Sequence, residues 1–190
     1  MQTDESAPIS TARRLHRWSR RDYHALADAG FLSEDDHVEL IDGHIVHMSP
    51  QDTLHAVAVR LTRRVLQRIF SEEMYMVDAQ LPLALGPHSE PEPDVCVVEG
   101  TPRDFVERHP TSAVIVVEVA DTSLEFDRTQ KKTLYARHSL PEYWILNVPD
   151  RQLEVYRNPA EGAYETVTIH GPAEIVSVEE ETVPVSSLLP

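Results

Sequence analysis

Two short apolar runs, each broken by a single carboxylate, constrain the fold of this 190-residue chain more than any other feature. Residues 93–98 read PDVCVV and residues 113–120 read AVIVVEVA. Short runs rich in β-branched residues, without polar alternation, are expected of strands covered on both faces of a sheet. A carboxylate inside such a strand is costly unless it is paired or bound to a cation. Asp94 and Glu118 therefore each have two readings: an acid held by an arginine at a strand end, or half of a metal site. Their place on successive strands favours the second, because Mg²⁺ takes carboxylate oxygens and keeps several waters.

The flanking segments predict the rest of the fold. Ser19, with Asp22 three residues on, offers an N-cap and capping box for a helix that stops at Gly30. Asp42-Gly43 between apolar runs predicts a type I′ hairpin with Ile41 opposite His44 and Glu39 opposite Val46. Residues 53–70 predict a helix with an apolar stripe of Leu54, Ala58, Leu61, Val65 and Ile69. Residues 74–85 predict one strand, followed by a turn over 86–91. A helix is expected from 127 to 139, where Pro141 prevents its continuation. Further strands are expected at 143–148, 152–156, 163–169 and 173–178. This order is α+β (mixed α/β): a central mixed sheet flanked by helices, preceded by a helix and a hairpin. Residues 1–17, polar and without apolar period, predict a flexible tail, and 18–190 a single domain.

Helical spacing places Lys131 on one stripe with Asp127, Leu134, Tyr135 and His138, the stripe expected to face the sheet. Lys132 lies ~100° around the helix and is expected in solvent. The plain accounts of Lys131 are a snorkelling side chain or a pair with Asp127 four residues earlier. The chemical account is stronger in company with two carboxylates. A divalent metal lowers the pKa of a bound water. A lysine orients that water or stabilises developing negative charge. Together they cleave a phosphodiester.

The charge balance bears on the substrate. With 32 acids against 17 bases the formal net charge is -15. Bulk affinity for nucleic acid comes from Lys and Arg, so this is no generic phosphate binder. A nucleic-acid role needs a local basic patch or a metal. Arg60, Arg63, Arg64 and Arg68 lie mostly off the apolar stripe, and with the Arg13–Arg21 cluster they are candidates for phosphate contacts. A solvated helix face is the simpler account of the first group. His55, at the start of the second helix, is expected to face water, with an accessory place in the site as the alternative. No HExxH, Cys/His cluster, GxGxxG or Walker sequence is present, which removes support for zinc and nucleotide-cofactor chemistry. The lone Cys96 reads as a core thiol. With no secretory pattern and no apolar run near ~20 residues, a cytoplasmic protein without membrane contact is expected.

Five segments, VELIDGHIVHMSP, PEPDVCVV, AVIVVEVADTS, DRTQKKTLYARHSLPEYWIL and LEVYR, resemble the Uma-type family of bacterial restriction endonuclease-like proteins, within the PD-(D/E)XK nuclease superfamily. The resemblance runs from about residue 18 to 185. It implies a restriction-endonuclease-like core with Mg²⁺ at the ends of central strands, or Mn²⁺ as a substitute. Pro93-Asp94 matches the PD element and Glu118 the second acid. The lysine of the motif would fall at 120, which here is Ala120; the resemblance implies that Lys131 on the following helix takes its place. Asp94, Glu118 and the Val119 carbonyl would then hold the metal, with Glu39 as a further carboxylate. Lys132 and Asp127 are accessory candidates. DNA is the implied substrate, and a homo-oligomer, with a dimer favoured, suits cleavage of two strands. Asn147, where the family usually has Asp, reads as structural. The rival is a catalytically inactive nuclease-fold protein acting as a DNA-binding or oligomeric interaction module. A third, remote reading is a β-rich module with a ligand pocket at Trp144.

Overall fold

The computed structural model describes residues 15–190. The expected N-terminal tail lies outside the described residues as far as position 14, and Arg13 with it. Ser19 caps helix α1 (Arg20–Asp28), and the Asp22 carboxylate accepts in return from the Ser19 N–H at 3.0 Å. Strands β1 (Val38–Ile41) and β2 (His44–His47) pair in the expected register. Asp42 and Gly43 between them have φ of 50° and 81°, as a type I′ turn requires. A side chain at Gly43 would also meet the Arg17 Cβ at 2.8 Å.

Helix α2 (Thr53–Ile69) is capped by Asp52, whose Oδ1 accepts from the His55 N–H at 2.7 Å. Its buried line is Ala58, Val59, Thr62 and Leu66. Leu54, expected on the buried stripe, is 53% exposed. The helix carries apolar residues over a wide arc, and the smaller line packs on the sheet. Val65 and Ile69 are only partly buried beside it. This rotation matters because His55 continues the buried line at helical spacing.

The sheet orders six strands as β3 (Tyr75–Asp78), β4 (Val95–Glu99), β5 (Ile115–Ala120), β6 (Glu142–Asn147), β7 (Gln152–Ala160) and β8 (Ala163–His170). All neighbours are antiparallel except β5 and β6, so the sheet is mixed. The strand expected over 74–85 stops at Asp78. Pro82, Pro87, Pro91 and Pro93 lack ladder donors, and the chain instead crosses to β1 through a Leu40–Glu90 bridge. A small separate hairpin, β9 (Ile175–Val178) with β10 (Glu181–Pro184), follows; sequence pattern alone did not show β10.

Alternation divides the core. Val95, Val97, Val117, Val119, Trp144 and Leu146 pack with α2 and the β9–β10 hairpin. Cys96, Val116, Ala120, Tyr143 and Ile145 pack on the other face with Ile41, Leu134 and Tyr135. Trp144 is fully buried and donates its Nε1–H to Glu142 Oε1 at 2.6 Å, so it lines no open ligand pocket. The helix expected over 127–139 starts earlier and changes pitch. α3 (Leu124–Phe126) runs into a π-helical turn (Asp127–Lys131) and then α4 (Lys132–Arg137). The wide turn buries both Asp127 and Lys131.

Candidate active site

Alternation along β5 decides where Glu118 points. Its neighbours Val116 and Ala120 belong to the core under α4, so the Glu118 side chain stands on that face. The β4–β5 register pairs Val95 with Val117, and one further step sets Asp94 opposite Glu118. Opposed residues of an antiparallel pair share a face with Cβ atoms ~5 Å apart. Two carboxylates 24 residues apart in sequence are thereby neighbours at one end of the sheet.

The π-helical turn that leads into α4 supplies the cation. Lys131 Nζ lies 3.0 Å from Glu118 Oε1 and 3.1 Å from Glu39 Oε1. Tyr135, one helical turn later, donates its hydroxyl to the same Glu118 Oε1 at 2.6 Å. Glu39 comes from β1 and accepts the Glu92 N–H on Oε2 at 3.1 Å. Asp94 Oδ2 accepts from the Val119 N–H at 2.8 Å and from His55 Nε2 at 3.1 Å. Asp94 Oδ1 has a longer contact, 3.3 Å from Gln80 Nε2. Ser123 donates to Asp127 Oδ2 at 2.6 Å. These groups open on a cleft of about 890 Å³ that Gln80, Asp121 and Thr122 also line.

The electrostatics are lopsided. Seven carboxylates line the cleft (Glu39, Asp52, Glu92, Asp94, Glu118, Asp121, Asp127) against the single ammonium of Lys131. Burial pushes the Glu118 carboxyl up to about 8, against the pull of Lys131 and with the push of Asp94. Burial likewise raises Asp127 to about 6. Burial disfavours the Lys131 ammonium, but Glu118 and Glu39 outweigh it and hold its pKa well above the ordinary lysine range. For His55, too, burial opposes the charged form, and the bond to Asp94 reverses the sign and raises the pKa. Such a site retains a proton near neutral pH unless another cation enters.

Of the residues singled out in the sequence, Asp94, Glu118, Val119, Lys131, Glu39, His55 and Asp127 all line one cleft. His55 is a correction. It does not face water, because α2 is rotated about its axis and brings the ring onto Asp94, with a side chain only 12% exposed. Lys132 is a second correction to the accessory set. It lies outside the lining residues, with Nζ 5.5 Å above the Tyr156 ring, the next residue around the helix from Lys131. Ala120 is fully buried, so the position two residues after the second acid, where the motif's lysine would fall, is core. Arg60, Arg64 and Arg68 are exposed, while Arg63 donates to the Val77 carbonyl at 3.2 Å. Sequence reasoning missed Tyr135, Gln80 and Glu92 as site neighbours. Two were readable: Tyr135 is four residues after Lys131, and Glu92 alternates with Asp94 in EPEPD.

The donor chemistry suits a hard divalent cation. Glu118, which lines the cleft, receives both of its hydrogen bonds on Oε1, and among the described residues Oε2 has no hydrogen-bond partner. Among the described residues no three His, Cys, Asp or Glu side chains converge on one point. Two carboxylates are enough for Mg²⁺, which completes its octahedron with water and substrate oxygens.

The Uma2 family, described as "Putative restriction endonuclease", matches residues 20–187. Among solved structures, the chain is similar to one from Anabaena variabilis, titled a "putative nuclease belonging to DUF820". The TM-score is 0.69 at 17% identity, over 86% of this chain and 96% of that one. At that identity the likeness shows the fold alone. No curated protein matches the chain.

Proposed function

The chain belongs to the Uma2 family of "putative restriction endonucleases", and from that premise we propose that it is a Mg²⁺-dependent DNA endonuclease of the PD-(D/E)XK type. The observation that carries the reading is Lys131 Nζ 3.0 Å from Glu118, on the strand end where Asp94 stands opposite. Asp94 Oδ1 and Glu118 Oε2 would hold Mg²⁺, with the Val119 carbonyl as a further ligand. When bound, the ion supplies an acidified water and neutralises charge on a phosphate oxygen.

The protein groups have separable tasks. The Val119 N–H and His55 fix one oxygen of Asp94, which aims the other into the cleft. Tyr135 and Lys131 do the same for Glu118. The Lys131 ammonium, brought from the helix rather than from the strand, is a fixed positive charge where negative charge grows on the scissile phosphate. Glu39 keeps that ammonium in place and charged.

The direct test is cleavage of single- and double-stranded DNA with Mg²⁺ or Mn²⁺. Asp94→Asn is expected to lower the rate by roughly 10³-fold, the loss typical of an electrostatic catalytic group. Equal rates for wild type and variant would overturn the reading. One observation favours an inactive interaction module instead: Lys131 is already held by two carboxylates at 3.0 and 3.1 Å. That reading requires no heat of Mg²⁺ or Mn²⁺ binding in calorimetry, whereas the nuclease requires one that Asp94→Asn abolishes.

A further inference from the structure

Helix α2 is an electrostatic exception in this molecule. Its 17 residues hold four arginines and no carboxylate, in a chain of net charge -15. Arg63 is tied to the Val77 carbonyl, whereas Arg60, Arg64 and Arg68 are exposed. These three recur every four residues and so form one stripe. Arg64 lies two residues from Thr62 of the buried line, ~200° around the helix, which puts the stripe on the outer face, away from the sheet. Among the described residues, the ion pairs of arginine and lysine involve Arg17, Arg20, Arg128, Lys131, Arg137 and Arg157, and none of the stripe. Glu72 follows the helix and Glu181 lines the groove beside Arg64 and Arg68, yet neither pairs with them.

A solvated helix face in an acidic protein ordinarily mixes signs. A carboxylate four residues from an arginine stabilises a helix, while like charges at that spacing destabilise it. Here the neighbour of Arg64 on either side is another arginine, so both pairs are unfavourable. The stripe works against its own helix, and its charge has no counterpart on the chain. The cleft has the opposite deficit. Seven carboxylates line it and, among the described residues, no arginine does. A DNA backbone is held by cations, which the cleft alone does not supply. α2 joins the two regions: His55 in its first turn contacts Asp94, and Arg60 follows about 8 Å along the axis.

We propose that the stripe of Arg60, Arg64 and Arg68 is a second contact surface for DNA, one that holds phosphates flanking the cleavage point rather than the scissile phosphate. The inference rests on the nuclease reading of the cleft. From Arg60 to Arg68 the stripe runs about 12 Å, the span of roughly three to four phosphates of one strand at ~3.4 Å each. DNA that leaves Asp94 past the N-terminal turn of α2 meets Arg60 first and the other two after it. Charge complementarity asks for a polyanion, and the adjoining cleft selects DNA among polyanions. Arginine contacts to phosphate fix position and carry no sequence information, so the stripe serves any sequence equally.

The test is fluorescence anisotropy of the full chain with labelled single- and double-stranded DNA across a salt series, without divalent metal so that nothing is cut. The wild type is expected to bind both. Arg60→Gln/Arg64→Gln/Arg68→Gln is expected to lower the slope of log Kd against log salt by about 2 on single strands and about 3 on duplex, at ~0.7 and ~0.9 per phosphate. Arg64→Gln, a single exposed change, is expected to lower it by about a third of that, and it decides alone should the triple variant fold poorly. The control is Arg103→Gln/Arg108→Gln, two exposed arginines in a loop that Phe105 anchors on the other face of the sheet; its slope is expected to match the wild type. Asp94→Asn is expected to lose cleavage and keep the slope, so that variant tests the cleft and the arginine variants test the stripe. An unchanged slope in the stripe variants overturns the inference. So does an equal loss per arginine in the control, or a wild type that binds no DNA, whether or not it binds vesicles of anionic lipid.

Discussion

Glu118 and Glu154 occupy one cross-strand row of the sheet, each beside Ile145, and both are almost completely buried. Each takes its cation from the same π-helical turn, Lys131 for one and Arg128 for the other. They differ in what is left over. Arg128 forks onto both oxygens of Glu154, with Nε at 3.0 and 3.2 Å, and Tyr156 donates to Oε2 at 2.6 Å. A planar guanidinium closes such a pair geometrically. Lys131 is a point charge shared between Glu118 and Glu39, and it reaches only one oxygen of Glu118. Glu154 is saturated and structural; Glu118 keeps an unfilled oxygen, a surplus of negative charge around it and an open cleft. Burial alone does not separate a structural acid from a chemical one. Acceptor saturation and local charge balance do.

The largest test of this contrast removes the two cations in turn. Lys131→Met is expected to lower DNA cleavage by roughly 10²–10³-fold. It also destabilises the fold by about 3–5 kcal/mol above pH 8, where the buried Glu118 carboxylate is ionised and loses its partner. Arg128→Met is expected to cost about 1–3 kcal/mol, since its side chain is 38% exposed, and to leave cleavage of the folded fraction unchanged. Equal effects of the two variants on cleavage would erase the distinction.

A second prediction concerns the metal itself. At 100 times its Kd, Mg²⁺ is expected to stabilise the wild type by about 2.7 kcal/mol in thermal melts. The same addition to Asp94→Asn is expected to do nothing, while Glu154→Gln keeps the response. A melt shift of equal size in all three proteins would place the ion elsewhere.

pH sharpens the comparison further. The Glu118 carboxyl is raised from 4.5 to about 8, so the folded chain binds a proton that the unfolded chain has released. Below pH 4.5 both states are protonated and Glu118 costs nothing. Between 4.5 and 8 stability falls as pH rises, and the loss is complete above 8. Glu118→Gln is thus expected to raise the melting temperature by a few degrees at pH 8 and by almost nothing at pH 4.5. A gain that is flat with pH, or larger in acid, would refute this. The smallest effect expected is that of His55→Gln, which keeps a donor near Asp94: about tenfold in cleavage, as for other groups that orient a metal ligand.

The readable parts of the sequence were those where local chemistry leaves one option. Asp42-Gly43 admits a type I′ turn and little else, so the register that places Glu39 was fixed before any tertiary contact. An acid in AVIVVEVA is too costly to ignore, and it led to the β5 strand end. The helix rotation was not readable, because α2 has apolar residues on more than one line and the packing surface chose among them. Residues 74–85 misled for a related reason: the apolar pattern suggested a long strand, but β4 pairs only as far as Asp78 and the chain then leaves the ladder. Glu154 gave no signal either, since its partner Arg128 lies 26 residues away.

The amino-acid sequence by itself determined which strands are covered, where the hairpin turns and which acids demand a partner, because burial cost and turn sterics act within a few residues. Only the tertiary structure decided which partner each acid received. Whether a buried carboxylate meets a forked guanidinium or a shared ammonium depends on how a π-helical turn lies over a sheet, and packing between distant segments sets that.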